Sequence, residues 1–117
     1  MSSTNVPKSG TNVPKKGTRP TSIKIIGKPF KIEWPDRIEH EGDELNGLAD
    51  ADGQHIQVVG SLPLETAQDK LLHEVMHCIE ASFDLDLEDT VIERLATGLL
   101  AVIKDNPRFV TYLRRSK

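Results

Sequence analysis

The chain has 117 residues and a formal net charge of -3, so we expect one small domain with a single modest core. The acidic balance argues against a general nucleic-acid binder, which is normally basic on one face. Cys78 is the single cysteine, no apolar segment follows Met1, and the longest apolar run, Leu99 to Ile103, is far shorter than the roughly 18 residues of a membrane span. We therefore expect a cytoplasmic protein with neither nucleic-acid nor membrane partners.

The N-terminal segment repeats itself without any apolar periodicity. Thr4-Asn5-Val6-Pro7-Lys8 recurs as residues 11–15, within a stretch rich in Ser, Gly, Pro and Lys. This composition predicts a disordered basic tail over residues 1–21 and a folded domain over residues 22–117. The tail could tether a partner or occupy a substrate groove, although a solvated extension is the simpler interpretation.

The next part of the chain predicts a small antiparallel sheet of about three strands. Apolar residues alternate with polar ones across residues 23–34, as in one bulged strand or two short ones. An acidic stretch, residues 39–44, interrupts this pattern. Residues 45–51 and 54–59 then flank Asp52-Gly53, a dipeptide typical of a tight hairpin turn.

Helical periodicity replaces alternation after this hairpin. Pro63 suits the start of a helix that we expect to end near Phe83. A second helix is predicted from about Glu88 to Lys104, before Asn106-Pro107, and a short third one within residues 108–117. The fold class is therefore α+β. The apolar residues expected to face inward are Ile92, Leu95, Leu99, Val102 and Ile103 on the second helix, and Phe109, Val110 and Leu113 on the third.

The first helix carries the pattern HExxH at His73, Glu74 and His77. Residues four apart lie on one helix face, roughly 5–6 Å apart at Cβ, so two imidazoles can converge on one metal ion. Glu74 projects about 100° round the helix from His73, where it can reach an attacking water as a general base. The pattern predicts bound Zn²⁺ and hydrolysis of peptides.

Two histidines leave this site incomplete, because catalytic zinc normally has three protein ligands. Metzincins take a further histidine three or six residues beyond the second one, but those positions are Glu80 and Phe83 here. The search therefore turns to carboxylates. Four acidic residues rank low because they share the ligand helix or suit the turn that follows: Glu80, Asp84, Asp86 and Glu88.

Glu93 is the predicted third ligand. It lies on a stripe of the second helix that is otherwise apolar, and coordination of a divalent cation would offset the several kcal/mol that burial of an unpaired carboxylate costs. Asp89, one turn earlier, is the main alternative. Glu93 would otherwise sit at the edge of the stripe, paired with Arg94, Arg108 or solvent.

This arrangement resembles a known group of peptidases. His73-Glu74-x-x-His77, followed sixteen residues later by Glu93 in the string Val91-Ile92-Glu93-Arg94-Leu95-Ala96, is similar to the gluzincins, and more narrowly to small ImmA/IrrE-type metallopeptidases of phages and mobile elements. The likeness covers roughly residues 23–113. It implies a minimal zincin-like fold, with His73, His77 and Glu93 as zinc ligands and Glu74 as the catalytic base. It also implies cleavage of a regulatory protein, such as a repressor, inside a bacterial cell.

The expected function is a zinc-dependent endopeptidase in which metal-activated water attacks the peptide bond of a protein substrate. Tyr112, His55 and Arg108 are open candidates for stabilising the oxyanion, and residues 54–59 resemble the edge strand on which zincins lay an extended substrate. The alternative is a catalytically silent zinc-containing binding protein that modulates a host or phage partner. The retained Glu74 favours the peptidase. The sequence leaves the oligomeric state open.

Overall fold

A computed structural model describes residues 18–116, whose elements form the α+β fold that the sequence predicts. Residues 1–17, most of the predicted tail, lie outside the described part. The fold begins before residue 22, because Arg19 donates to the carbonyl of Gly60 (2.7 Å) and Trp34 Nε1 donates to the carbonyl of Pro20 (2.9 Å). The elements in chain order are β1 (Ser22–Ile25), β2 (Lys28–Glu33), β3 (Ile38–His40), β4 (Asp43–Leu45), β5 (Gly47–Asp50), β6 (His55–Val58), α1 (Leu64–Ser82), α2 (Asp89–Asp105) and α3 (Pro107–Arg114).

The main sheet has the strand order β1-β2-β6-β5. β1 pairs antiparallel with β2, and β5 pairs antiparallel with β6, but β2 and β6 run parallel. The predicted antiparallel sheet of about three strands is therefore corrected to a mixed sheet of four among the described residues. The parallel pair forms because the chain leaves β2, reverses through β3, β4 and β5, and returns alongside β2.

The strand predicted as the substrate-binding edge is an internal one. Residues 54–59 contain β6, which lies between β2 and β5, and its Ile56 and Val58 side chains are completely buried. The hairpin predicted around Asp52-Gly53 does form, with Gly53 N–H donating to Asp50 Oδ1 (3.0 Å). Its first strand, β5, is one edge of the sheet, and α1 packs against it.

The acidic stretch interpreted as an interruption forms a second, two-stranded sheet of β3 and β4. Glu41 and Gly42 make the turn, both with positive φ (52° and 85°), a conformation that suits glycine and matches the twist of a tight hairpin. Arg37 pairs with Glu39 (3.1 Å) and Glu44 (3.5 Å) across these strands. The exposed charges hide the strand signal, because apolar alternation marks only strands with a buried face.

α1 lies between the sheet and α2. Val75 and Cys78 of α1 join the core formed by the sheet residues, among them Ile32 and Ile56. On another face, α1 receives α2, where Ile92 and Ala96 are buried. One surface of α1 therefore runs along the border between the sheet and α2. Side chains on this surface are flanked by both elements.

The second and third helices bury less than predicted. Leu95, Leu99, Val102 and Ile103 are exposed on α2, and α3 has no buried residue. α1 is the main neighbour of α2, and one helix covers only one stripe of another, here Ile92 and Ala96. Among the described residues, no helix combines the length and the apolarity needed to cross a membrane.

Candidate metal centre

α1 brings His73 and His77 together one helical turn apart. Their Nε2 atoms lie 3.0 Å from each other, and the rings meet edge to face with centroids 4.7 Å apart. His73 is buried because it lies on the border between the sheet and α2, and His77 is half-buried. The predicted pair is thus assembled, with both Nε2 atoms directed at one point.

The side chain that completes this group is Asp89, the first residue of α2. Its Oδ1 lies 2.9 Å from His77 Nε2 and 3.3 Å from His73 Nε2. The structure does not bring Glu93 to the histidines: its side chain is exposed on α2. Ile92, almost completely buried, faces α1, so the next residue along the helix points towards solvent.

The three converging atoms lie slightly closer together than the ligand atoms of a zinc site. Their separations of 2.9, 3.0 and 3.3 Å compare with about 3.3–3.4 Å along the edge of a tetrahedron whose corners lie at zinc–ligand distances of about 2.0–2.1 Å. Two imidazoles and one carboxylate are also a usual ligand set for catalytic zinc. The residues present therefore fit the metal that the sequence predicts.

Glu80 sets the orientation of His77. Its Oε1 lies 3.3 Å from His77 Nδ1, and its Oε2 accepts a 2.7 Å hydrogen bond from the N–H of Leu87. With the imidazole proton on Nδ1, His77 donates to Glu80 and keeps the Nε2 lone pair free for a metal. Sequence reasoning ranked Glu80 low as a ligand and gave it no other role, although the spacing of three residues from His77 predicts this contact.

Glu74 is buried beside the histidine pair. One ligand atom from each of His73, Glu74 and His77 lies within 4.8 Å of the others. Burial raises the pKa of the Glu74 carboxyl, while His77 and Lys70 pull it back. A raised pKa moves a carboxyl towards the range in which it can both accept and return a proton.

The electrostatics of His73 and Asp89 suit cation binding. Burial, with Lys70 and His77 nearby, lowers the pKa of His73 and keeps the imidazole neutral at pH 7. Burial acts to raise the pKa of Asp89, but its hydrogen bonds and charge interactions with the two histidines outweigh this effect and lower it. A neutral imidazole and an ionised carboxylate are the forms that bind metals.

An open cleft of about 400 Å³ gives access to these groups. β5 forms one wall and α1 the other, with Asp89 at one end. Gly47 lets the strand approach the helix closely, because a Cβ there would lie 2.7 Å from Lys70 Cγ and 2.8 Å from Glu74 Oε2. The cleft is lined by Leu45, Asn46, Gly47, Leu48, Ala49, Lys70, His73, Glu74, His77 and Asp89.

None of the three predicted oxyanion-stabilising residues lines this cleft. Tyr112 is exposed on α3, and His55 Nε2 lies 2.6 Å from Glu33 Oε1 on the sheet. Arg108 is on α3, outside the cleft. The cation in the cleft is Lys70, three residues before His73, which sequence reasoning did not consider.

Cys78 follows the second histidine but faces away from the cleft, completely buried in the core. Burial, with Glu74 and Asp50 adding to it, raises the pKa of this thiol to about 11. The thiolate is the form that attacks or binds metal, so Cys78 is a packing residue.

Comparison of the chain with protein families, curated proteins and solved structures finds no match.

Proposed function

We propose that this protein is a zinc-dependent endopeptidase in which His73, His77 and Asp89 hold the metal and Glu74 is the general base. The observation that carries the proposal is the convergence of three ligand atoms within 3.3 Å, next to a buried carboxylate, in an open cleft. Asp89 replaces Glu93, the ligand implied by the resemblance to gluzincins, because Asp89 contacts both imidazoles and Glu93 is exposed.

Glu74 would carry the proton through the reaction. When bound, zinc supplies Lewis acidity towards the attacking water and the scissile carbonyl. Glu74 takes a proton from the water as the water oxygen bonds to the carbonyl carbon. Glu74 then returns that proton to the amide nitrogen as the C–N bond breaks. The raised pKa of Glu74 suits both steps.

The substrate would lie in extended form along β5. This strand is an edge of the sheet, and edge strands bind peptides through main-chain hydrogen bonds. Close packing at Gly47 keeps the strand against Glu74, so a peptide paired with β5 passes over the base. Lys70, on the same wall as Glu74, is the cation best placed to stabilise the developing oxyanion.

The proposed substrate is a regulatory protein in the bacterial cytoplasm, as the resemblance to ImmA/IrrE-type peptidases implies. The open cleft favours a flexible segment of such a protein, because an extended chain reaches the base without a deep pocket.

Metal content tests the ligand set. Elemental analysis of protein purified without added zinc should give one zinc per chain for the wild type and for Glu93→Ala. His77→Ala and Asp89→Ala should lose it. Glu93→Ala is the matched control, since it removes a carboxylate one helical turn from Asp89. Sub-stoichiometric zinc in the wild type would contradict the proposed metal centre. Loss of zinc in Glu93→Ala alone would identify Glu93, and not Asp89, as the third ligand.

Hydrolysis tests the base. Glu74→Gln should retain zinc and lose at least a hundredfold of the activity on a quenched fluorescent peptide library. Absence of cleavage by the wild type, with zinc bound, would favour the silent binding protein. Equal cleavage by both forms would exclude Glu74 as the base.

A further inference from the structure

An apolar stripe along α2 is left exposed by the fold. Val91, Leu95, Leu99 and Val102 are 41%, 52%, 40% and 43% exposed. They are spaced by four, four and three residues, so they share one helix face. This face, the α2 stripe, lies roughly 90° round the helix from the buried pair Ile92 and Ala96. None of its residues lines the proposed active-site cleft.

The last helix also exposes large apolar side chains. Phe109 and Leu113 of α3 are 44% and 63% exposed, and no residue of α3 is buried. An eight-residue helix is marginal without tertiary contacts. Together with the α2 stripe, these side chains expose on the order of 600 Å², near the roughly 800 Å² per partner of a standard-size interface.

The N-terminal segment is a poor match for this surface. Residues 1–17 contain Met1, Val6 and Val13 as their apolar side chains, and otherwise Ser, Thr, Asn, Gly, Pro and Lys. Three small or flexible apolar groups cannot cover six large ones. The surface instead has the area that a second folded copy could cover.

Gly98 gives the α2 stripe a site for close helix approach. It lies between Leu95 and Val102 on the same side of α2, and a Cβ built there meets nothing within 4 Å. A glycine inside a helix is less favourable than alanine, and the described part of the chain offers no contact that explains it. A second helix crossing at this point would use the missing side chain.

We propose that two copies of this chain form a twofold-symmetric dimer in which the α2 stripes pack antiparallel and cross near Gly98. A closed pair also buries the apolar surface in both copies, whereas an open contact would leave it exposed on one. The dimer leaves both clefts open, and it does not depend on the proposed peptidase activity.

Charges beside the α2 stripe fit this orientation. Arg94 and Asp105 are eleven residues apart, about 20° from each other around the helix, on the same flank of the stripe. Among the described residues, neither forms an ion pair. In an antiparallel twofold pair, like flanks meet, so each Arg94 would face Asp105 of the partner subunit. The dimer would contain two such contacts. In a parallel twofold pair opposite flanks meet instead, so Arg94 would not face Asp105 of the partner subunit.

Sedimentation equilibrium of the full chain over a hundredfold concentration range tests the dimer. The wild type should reach twice the chain mass of 13.0 kDa. Leu95→Glu should weaken association at least a hundredfold while the circular dichroism spectrum stays unchanged, because residue 95 is outside the core. Leu85→Glu is the matched control: Leu85 is 50% exposed but lies in the turn before α2, so its change should leave the mass unaltered.

Two further variants test the packing itself. Gly98→Ala should weaken the dimer at least tenfold, although the open space around Gly98 makes it harmless to the monomer. Arg94→Glu should weaken the dimer, and adding Asp105→Arg should restore it. A monomeric wild type at every concentration would overturn the proposal. So would a dimer insensitive to Leu95→Glu, or one strengthened by Gly98→Ala.

Discussion

Glu80 contacts two parts of the candidate site at once. One carboxylate oxygen lies against His77 Nδ1, and the other accepts from the N–H of Leu87, two residues before Asp89. The same side chain therefore orients a proposed ligand and holds the turn that delivers another. Partners of this kind commonly affect metal affinity without touching the metal.

Glu80→Gln should lower zinc affinity about 10- to 100-fold. The amide keeps the size of the side chain but loses the charge that holds the proton on His77 Nδ1. Competition with a chromophoric chelator measures the affinity, with Glu65→Gln, an exposed change in the first turn of α1, as the control. Zinc affinity within twofold of the wild type would show that Glu80 only shapes the turn.

The residues of HExxH were predictable because helix periodicity is local: two positions four apart share a face whatever the rest of the chain does. The choice between Asp89 and Glu93 could not be predicted from the sequence. It depends on where the turn at residues 83–88 ends and on which face of α2 meets α1, and both are set by packing between elements. Ile92 decides the outcome, since its burial turns Glu93 outward.

At the scale of elements, β5 offers part of its backbone to a partner. Val59 N–H donates to the carbonyl of Asn46 (2.9 Å), and the β5–β6 register pairs Leu48 with Gln57. Hydrogen-bonded and non-hydrogen-bonded pairs alternate along an antiparallel ladder. The main-chain groups of Gly47 and Ala49 therefore point away from β6, towards the free edge beside Glu74.

Ala49→Pro should abolish most peptide hydrolysis, at least tenfold in kcat/KM, while zinc content stays at one per chain. Proline removes the N–H that would pair with an extended substrate, and edge strands tolerate it where that N–H is free. Leu48→Pro is the contrasting control. It removes a hydrogen bond to β6 and should lower the unfolding temperature instead. Unchanged hydrolysis by Ala49→Pro would exclude β5 as the substrate strand.

The strands show how far sequence patterns reach. The hairpin around Asp52-Gly53 was predictable, because its turn chemistry is contained in two residues. The parallel pairing of β2 with β6 was not, since the twenty-one residues between them carry no signal for where the chain returns. Nor did charge-rich β3 and β4 show alternation, as neither has a continuous buried face.

At the scale of the whole molecule, the burial of the Glu74 carboxyl reduces the stability of the fold. Burial raises the pKa of Glu74 above its ordinary value near 4.5, so between these two values the folded chain binds more protons than the unfolded chain. The free energy of unfolding then falls as pH rises through that window and stays reduced above it. The lowered pKa of His73 acts in the opposite sense, reducing stability as pH falls below 6.5.

Glu74→Gln should therefore stabilise the metal-free protein at neutral pH. The gain should be on the order of 1 kcal/mol, or about 4–8 °C in unfolding temperature for a small domain, and should disappear below about pH 4, where unfolded Glu74 is also protonated. Thermal unfolding in EDTA across pH measures it, and His73 cancels because both forms contain it. A variant less stable than the wild type at neutral pH would mean that the ionised carboxylate is compensated within the fold. Glu74 would then be a structural group, with no free charge to act as a base.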